Sequence, residues 1–192
     1  MNVFPATTDD QLRAILRLQA QNVPQSLSAE ALREQGFVTV RHDLALLRRM
    51  NEREPHAIAR TEAGALMGYA LVMTPHFRAH IDVLRSMFDR IDRHTYAGTV
   101  LRDAPYCIMG QICVARPHRG RGVVDALYAH LDERLARRGY RYLITLIADR
   151  NPRSLRVHAR VGFQPLERYV GETGEDWHLV IKPLPGYVSN ST

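Results

Sequence analysis

Lysine is almost missing from this chain: Lys182 is the only one among 26 basic residues, so nearly all the positive charge is arginine. Cysteine is scarce too, with only Cys107 and Cys113. On one extended strand that pair sits roughly 20 Å apart at about 3.3 Å per residue. A disulfide needs Cα atoms within about 7 Å, so the two cannot bridge. Free thiols fit a reducing compartment. No apolar run approaches a membrane span; the longest, such as Tyr142 to Ala148, are strand-sized. Met1 to Asp10 carries acidic residues and no basic stretch leading into an apolar one, so it does not read as a signal peptide. The expectation is a soluble, cytoplasmic protein with no membrane partner. Internal repeats and low-complexity segments are absent as well.

What is present suits one compact domain over residues 1–192, with 45% hydrophobic content to build a core. The formal net charge is +6. An arginine-rich surface can meet nucleic acid, an acidic partner or a phosphorylated cofactor, and it can also reflect genome composition alone. The arginines are scattered, without aromatic interleaving or a block of like charge, which argues against nucleic acid.

Apolar spacing predicts helices over Thr8 to Gln21, Ser28 to Gln35 and His42 to Arg53. Ala57 to Thr61 and Leu66 to Thr74 read as a hairpin around Gly64. Pro75 to Asp92 reads as a helix and Thr95 to Pro105 as loop. Tyr106 to Ala115 is a predicted strand. Val123 to Arg138 is a helix with the stripe Val124, Leu127, Tyr128, Leu131 and Leu135, closed by Gly139. Arg141 to Ala148 is a strand apolar on both faces. Asn151 to Val161 is a helix with Asn151 as cap and Pro152 at its first position. Phe163 to Val170 and Trp177 to Lys182 are further strands, and 183–192 is a polar tail. The fold class expected is α/β, a mixed sheet with helices on both faces.

Between a strand and a helix lies Arg116-Pro117-His118-Arg119-Gly120-Arg121-Gly122. A helix N-terminus offers unpaired N–H groups and partial positive charge, hence attracts phosphate. Glycines let backbone approach an anion, and Arg119 and Arg121 add charge-assisted hydrogen bonds. The turn is neither a Walker loop nor a Rossmann fingerprint. It also fits an ordinary strand–helix connection whose glycines serve only positive φ.

The run Arg119-Gly120-Arg121-Gly122-Val123-Val124 resembles the cofactor signature of the GNAT family of N-acetyltransferases, Gln/Arg-x-x-Gly-x-Gly/Ala. Val124 departs from it, standing where the family prefers a small residue. A second stretch looks like the family's later motif: Asn151, Ser154 three on, His158 seven on, then Gly162-Phe163. Both motifs stand in the family's order and separation. The resemblance implies a twisted sheet of about six to seven strands, flanked by helices and splayed into a V-shaped cofactor cleft. It implies acetyl-CoA as cosubstrate, a cofactor-binding half over about 106–168, and an acceptor-side half over about 1–105.

By that resemblance, the strand edge Ile112, Cys113, Val114 and Ala115 pairs with the pantetheine arm. Backbone N–H groups from Arg119 to Val124 hold the pyrophosphate, and an N–H near Val114 stabilises the oxyanion. Asn151, Ser154 and His158 share one polar helix face, which in the family lines the cofactor. His158 stands where relatives often carry an acid tyrosine, and histidine can donate a proton near neutral pH; a packed or capping histidine is the plain alternative. Where many relatives have a glutamate base, this chain has Gln111, which cannot act as one but can orient a water. Tyr106, or a residue of the 22–25 loop, is a weaker candidate. Cys113 fits packing better than covalent catalysis. His76 and His80 have metal-ligand spacing but no third ligand, and read as a solvated pair; no metal is expected. The implied reaction is direct acetyl transfer to a primary amine, on a small molecule or a peptide. The rival is a non-catalytic acyl-CoA-binding module. A homodimer is compatible with the sequence and not required by it.

Overall fold

The computed structural model describes residues 1–23, 38, 41–79, 85–172 and 174–186. Nine strands and five α-helices are found among them. Strands β1 (Asn2–Pro5), β2 (Ala57–Arg60), β3 (Leu66–Met73), β6 (Tyr106–Val114), β7 (Tyr142–Ala148), β9 (Asp176–Pro183) and β8 (Gln164–Val170) form a sheet in that order. Only the β6–β7 pair is parallel. A small hairpin, β4 (Thr95–Tyr96) with β5 (Thr99–Val100), stands apart.

The sheet is coated on both faces because its central strands are apolar on both. Along β7, Leu143 and Ile147 pack under α4 (Val123–Arg137), while Tyr142 and Ile144 face the opposite layer. The stripe Leu127, Tyr128, Leu131 and Leu135 is the buried side of α4, as its spacing predicts. On the other face, α1 (Asp9–Ala20) and α2 (Leu44–Arg53) place Leu12, Ile15 and Leu47 against Ile58, Tyr69 and Leu71. The capping box that starts α1 pairs Thr8 with Gln11, and Asp43 caps α2. Helix α5 (Pro152–Arg160) begins as predicted, with the Asn151 side chain accepting from Ser154 N. Lys182 on β9 forms a half-buried ion pair with Asp132 of α4.

Several boundaries differ from the sequence reading. Strand β1 does not stand out in the sequence, because four residues on a sheet edge carry too little pattern; Pro5 is tolerated there since an edge strand needs no second ladder. The predicted helix over Pro75 to Asp92 is instead a 3-10 turn at Pro75–Ala79 and a helix α3 at Arg85–Ile91. The loop over Thr95 to Pro105 contains the β4–β5 hairpin and a 3-10 turn at Leu101–Asp103. The described residues inserted between β3 and β6 lay Phe77, Phe88, Ile91 and Leu101 over Tyr106, Ile108 and Ile181. The predicted helix Ser28 to Gln35, His80 and tail residues 187–192 lie outside the described residues. No helix among the described residues is long and apolar enough to cross a membrane.

Candidate functional site

Strands β6 and β7 pair over only three positions, Tyr106 with Tyr142 through Ile108 with Ile144. The ladder ends where β6 bulges. Leu71 faces Gln111 and Val72 faces Met109, which leaves Gly110 as the extra residue. Just past the last paired residues, the Thr145 hydroxyl donates to Met109 O at 2.7 Å. Beyond the bulge the two strands run on without pairing to each other. A cavity of about 400 Å³ opens beside this gap.

Most of the cavity wall comes from Ile112, Cys113 and Val114 of β6, from the turn between His118 and Asp125, and from one face of α5, with Asn22 and Val38 completing it. Ala115 N donates to Met67 O on β3, so by strand alternation the preceding Val114 N–H is directed to the opposite, cleft-side edge. The turn has Gly120 and Gly122 at φ +72° and +73°, a region L-residues rarely enter. Gly122 is also the N-cap of α4 and has no side chain to cap it. The first amides of α4 lack intrahelical acceptors, and Val123, Val124 and Asp125 of that first turn line the cavity. A Cβ built on Gly120 or Gly122 would meet nothing within 4 Å, so the space over the turn is open.

Of the residues expected to hold the cofactor, Ile112, Cys113, Val114, Arg119, Gly120, Gly122, Val123, Val124, Asn151, Ser154 and His158 line this one cavity. Ala115 and Arg121 are not among its lining. Arg119 is braced rather than loose: Nε donates to Val114 O at 3.1 Å and Nη2 to Asn22 Oδ1 at 2.8 Å. Residues the sequence reading did not single out for the cofactor also line the cavity, among them Val38, His118, Asp125, Arg153, Val157 and Arg160. Arg160 forms an ion pair with Asp125, tying α5 to α4 across the mouth. For α5 a signal existed: Ser154, Val157 and His158 are i, i+3 and i+4.

His158 is buried, edge-on to Tyr128 and Phe163. Its Nδ1 lies 2.8 Å from Ser154 O. A carbonyl only accepts, so Nδ1 carries the proton and Nε2 is the lone-pair nitrogen. Burial pushes the imidazole down to about 4, against the weaker upward pull of the Ser154 carbonyl. Cys113 lines the cavity, but burial pushes its thiol up to about 12, so it is a packed thiol at neutral pH.

Gln111 and Tyr106 lie off the cavity lining. Gln111 Oε1 accepts from Gln19 Nε2 at 2.8 Å and from the Tyr69 hydroxyl at 2.6 Å. Tyr106 sits at the start of β6 in the layer beneath the insertion, and burial pushes its phenol up to about 12. Asn22, from the loop considered for the base, lines the cavity as Arg119's partner, while residues 24 and 25 lie outside the described residues. His76 is exposed, with Nε2 3.4 Å from Arg53 Nη2. No cluster of three or more metal-ligating side chains occurs among the described residues.

Residues 23–163 match the model of the acetyltransferase (GNAT) family. The chain belongs to that family, whose members are acyl-CoA-dependent transferases. No curated protein matches the chain. Among solved structures, it is similar to the ribosomal-protein-alanine N-acetyltransferase from Brucella melitensis, at 23% identity and TM-score 0.62, covering 96% of this chain and 100% of that one. It is similar to the ribosomal-protein-S18-alanine N-acetyltransferase from Escherichia coli, at 15% identity and TM-score 0.62, covering 100% and 98%. A phosphinothricin acetyltransferase from Sinorhizobium meliloti in complex with AcCoA is similar at 19% identity and TM-score 0.60, covering 99% and 93%. At these identities the likeness is one of fold.

Proposed function

We propose that this protein is an acetyl-CoA-dependent N-acetyltransferase that acts on a primary amine by direct attack in a ternary complex. The observation that carries the reading is the convergence of three unlike features on one cavity: an uncapped helix N-terminus behind two left-handed glycines, an unpaired strand edge, and the polar face of α5. The first amides of α4 would hold the pyrophosphate, and the edge of β6 at Ile112 and Val114 would pair with the pantetheine.

In the transfer the amine nitrogen bonds to the thioester carbon, the C–S bond breaks, and the amine's proton ends on sulfur. The Val114 N–H, directed into the cleft, would donate to the oxyanion. His158, neutral and unprotonated at Nε2, can act as an acid only after taking up a proton. We assign it a relay: it accepts the proton the amine sheds and returns one to the thiolate. Cys113 stays a thiol, so no acyl-enzyme is needed.

The second reading, an acyl-CoA-binding module without turnover, is favoured by one observation. Gln111 stands where a base is expected, and both lone pairs of its Oε1 are already taken. Calorimetric titration with acetyl-CoA, followed by CoA release across small amines and peptides with free amino termini, separates the two. Binding with turnover is expected; binding with no turnover on any amine would leave the module reading, and no binding would remove both.

A further inference from the structure

A chain of hydrogen bonds, half-buried at His42 and buried beyond it, runs along the sheet face opposite α4, from α1 to the strand that walls the cavity. It starts at a fixed donor: the His42 backbone N–H donates to Gln19 Oε1 at 2.9 Å. That contact sets the orientation of the Gln19 amide, so its Nε2 donates twice, to Gln111 Oε1 at 2.8 Å and to His42 Nδ1 at 2.8 Å. His42 is thereby held in the tautomer with its proton on Nε2. The Tyr69 hydroxyl completes the chain, donating to Gln111 Oε1 at 2.6 Å and touching the Cys113 thiol. Gln19 is 1% exposed, Gln111 8% and Tyr69 0%.

One backbone amide thus dictates two side-chain amide orientations and one imidazole tautomer. Apolar residues of similar shape would fill the same space beside Ile15, Leu47 and Leu71 at little or no cost in stability. What a fully satisfied polar chain adds is a single geometry. The geometry it fixes is that of β6 one residue past the Gly110 bulge, where the strand begins its free edge.

We infer that Tyr69, Gln19 and His42 are positioning residues for the transfer: through Gln111 they hold the acceptor-side face of β6 in register with the cleft. The inference rests on the N-acetyltransferase reading above. With both Oε1 lone pairs used, Gln111 can act elsewhere only as a donor, through its amide nitrogen. Gln111 therefore serves the site as a fixed post rather than as an acceptor of the amine's proton.

The test uses the full chain with acetyl-CoA and hydroxylamine, a minimal primary amine, following CoA release above the uncatalysed rate. Tyr69→Phe is expected to lower kcat roughly tenfold, the size of one buried hydrogen bond, with acetyl-CoA affinity unchanged. His42→Asn can place its Oδ1 where Nδ1 accepts and should keep most of kcat. His42→Leu should lose it as Tyr69→Phe does. If folded Tyr69→Phe and His42→Leu both turn over like the parent, the positioning role is wrong. If kcat falls only in step with the thermal midpoint and Asn does not rescue, the chain is structural and the inference fails. A parent that binds acetyl-CoA but exceeds the uncatalysed rate neither with hydroxylamine nor with any amine or peptide of the screen above overturns the transferase reading itself, and this inference with it.

Discussion

Arg119 Nη2 donates to Asn22 Oδ1 at 2.8 Å, joining two parts of the chain 97 residues apart. Asn22 Nδ2 in turn donates to Leu18 O at 2.8 Å, and Asn22 O accepts from Val38 N at 3.0 Å. With its Nε on Val114 O, the same guanidinium touches the end of β6 and the end of α1 from the turn before α4. Its fork geometry is what makes two such bonds from one side chain, and a lysine ammonium has no equivalent. Arg119→Lys should therefore fail to restore acetyl-CoA affinity lost in Arg119→Ala, with both weaker than the parent by about tenfold or more in calorimetry, the equivalent of about 1.4 kcal/mol. Full recovery by lysine would mean that charge alone matters at this position.

Gly122 and Gly139 make a matched pair for testing the turn. They flank α4 at φ +73° and +85°, and neither has an atom within 4 Å of where a Cβ would stand. Replacing either with alanine should cost about 1–2 kcal/mol of stability from the left-handed backbone alone. Only Gly122→Ala should also weaken acetyl-CoA binding, since Gly122 lines the cavity and Gly139 lies at the far end of the helix. Denaturant midpoints and calorimetry on both variants decide the matter; equal affinity in the two would move the ligand away from this turn.

Two buried imidazoles set the acid side of stability. Burial lowers His56 to about 3 and His158 to about 4, from 6.5. Below 6.5 the unfolded chain binds protons that the folded chain refuses, so stability falls as pH drops from 6.5, to about 4 on account of His158 and to about 3 on account of His56. His158→Phe, which keeps a ring against Tyr128 and Phe163, should remove this imidazole's share of that fall. The share is roughly 1.4 kcal/mol for each tenfold by which folding weakens its proton affinity. Urea midpoints across that pH range measure it. An unchanged slope would mean His158 titrates normally.

Thr145 tests how the splay is held. Thr145→Val removes the donor to Met109 O but keeps the shape, leaving a buried carbonyl unsatisfied at about 1–3 kcal/mol. A loss well under 1 kcal/mol in equilibrium unfolding would show that the strands stay apart without it.

The part of the fold around the glycine turn, α4 and α5 was legible because its residues are set by local chemistry. Gly122, Asn151 and Pro152 each announce a helix start, and the stripe of α4 has an unambiguous period. The part around α1 and β3 was not. Tyr69 reads as one more apolar strand residue and Gln19 as the tail of a helical stripe. Their meaning comes only from meeting Gln111, 42 and 92 residues away in sequence. Arg119 was legible as a basic residue in a phosphate turn, but its hold on Asn22 is tertiary. The insertion over 75–103 misled because Pro75 starts a 3-10 turn where apolar spacing suggests one continuous helix.

The pairing of Lys182 with Asp132 has a consequence for chemistry in the cell. Thioesters acylate exposed ε-amines without any catalyst, and a protein that concentrates one at its surface is the nearest target. Here the single ε-amine in the sequence sits on a side chain only 12% exposed and engaged by a carboxylate. Long incubation with excess acetyl-CoA should leave Lys182 unmodified by mass spectrometry, and Asp132→Asn should make it reactive. A protein that handles reactive thioesters would then keep its one lysine out of their reach.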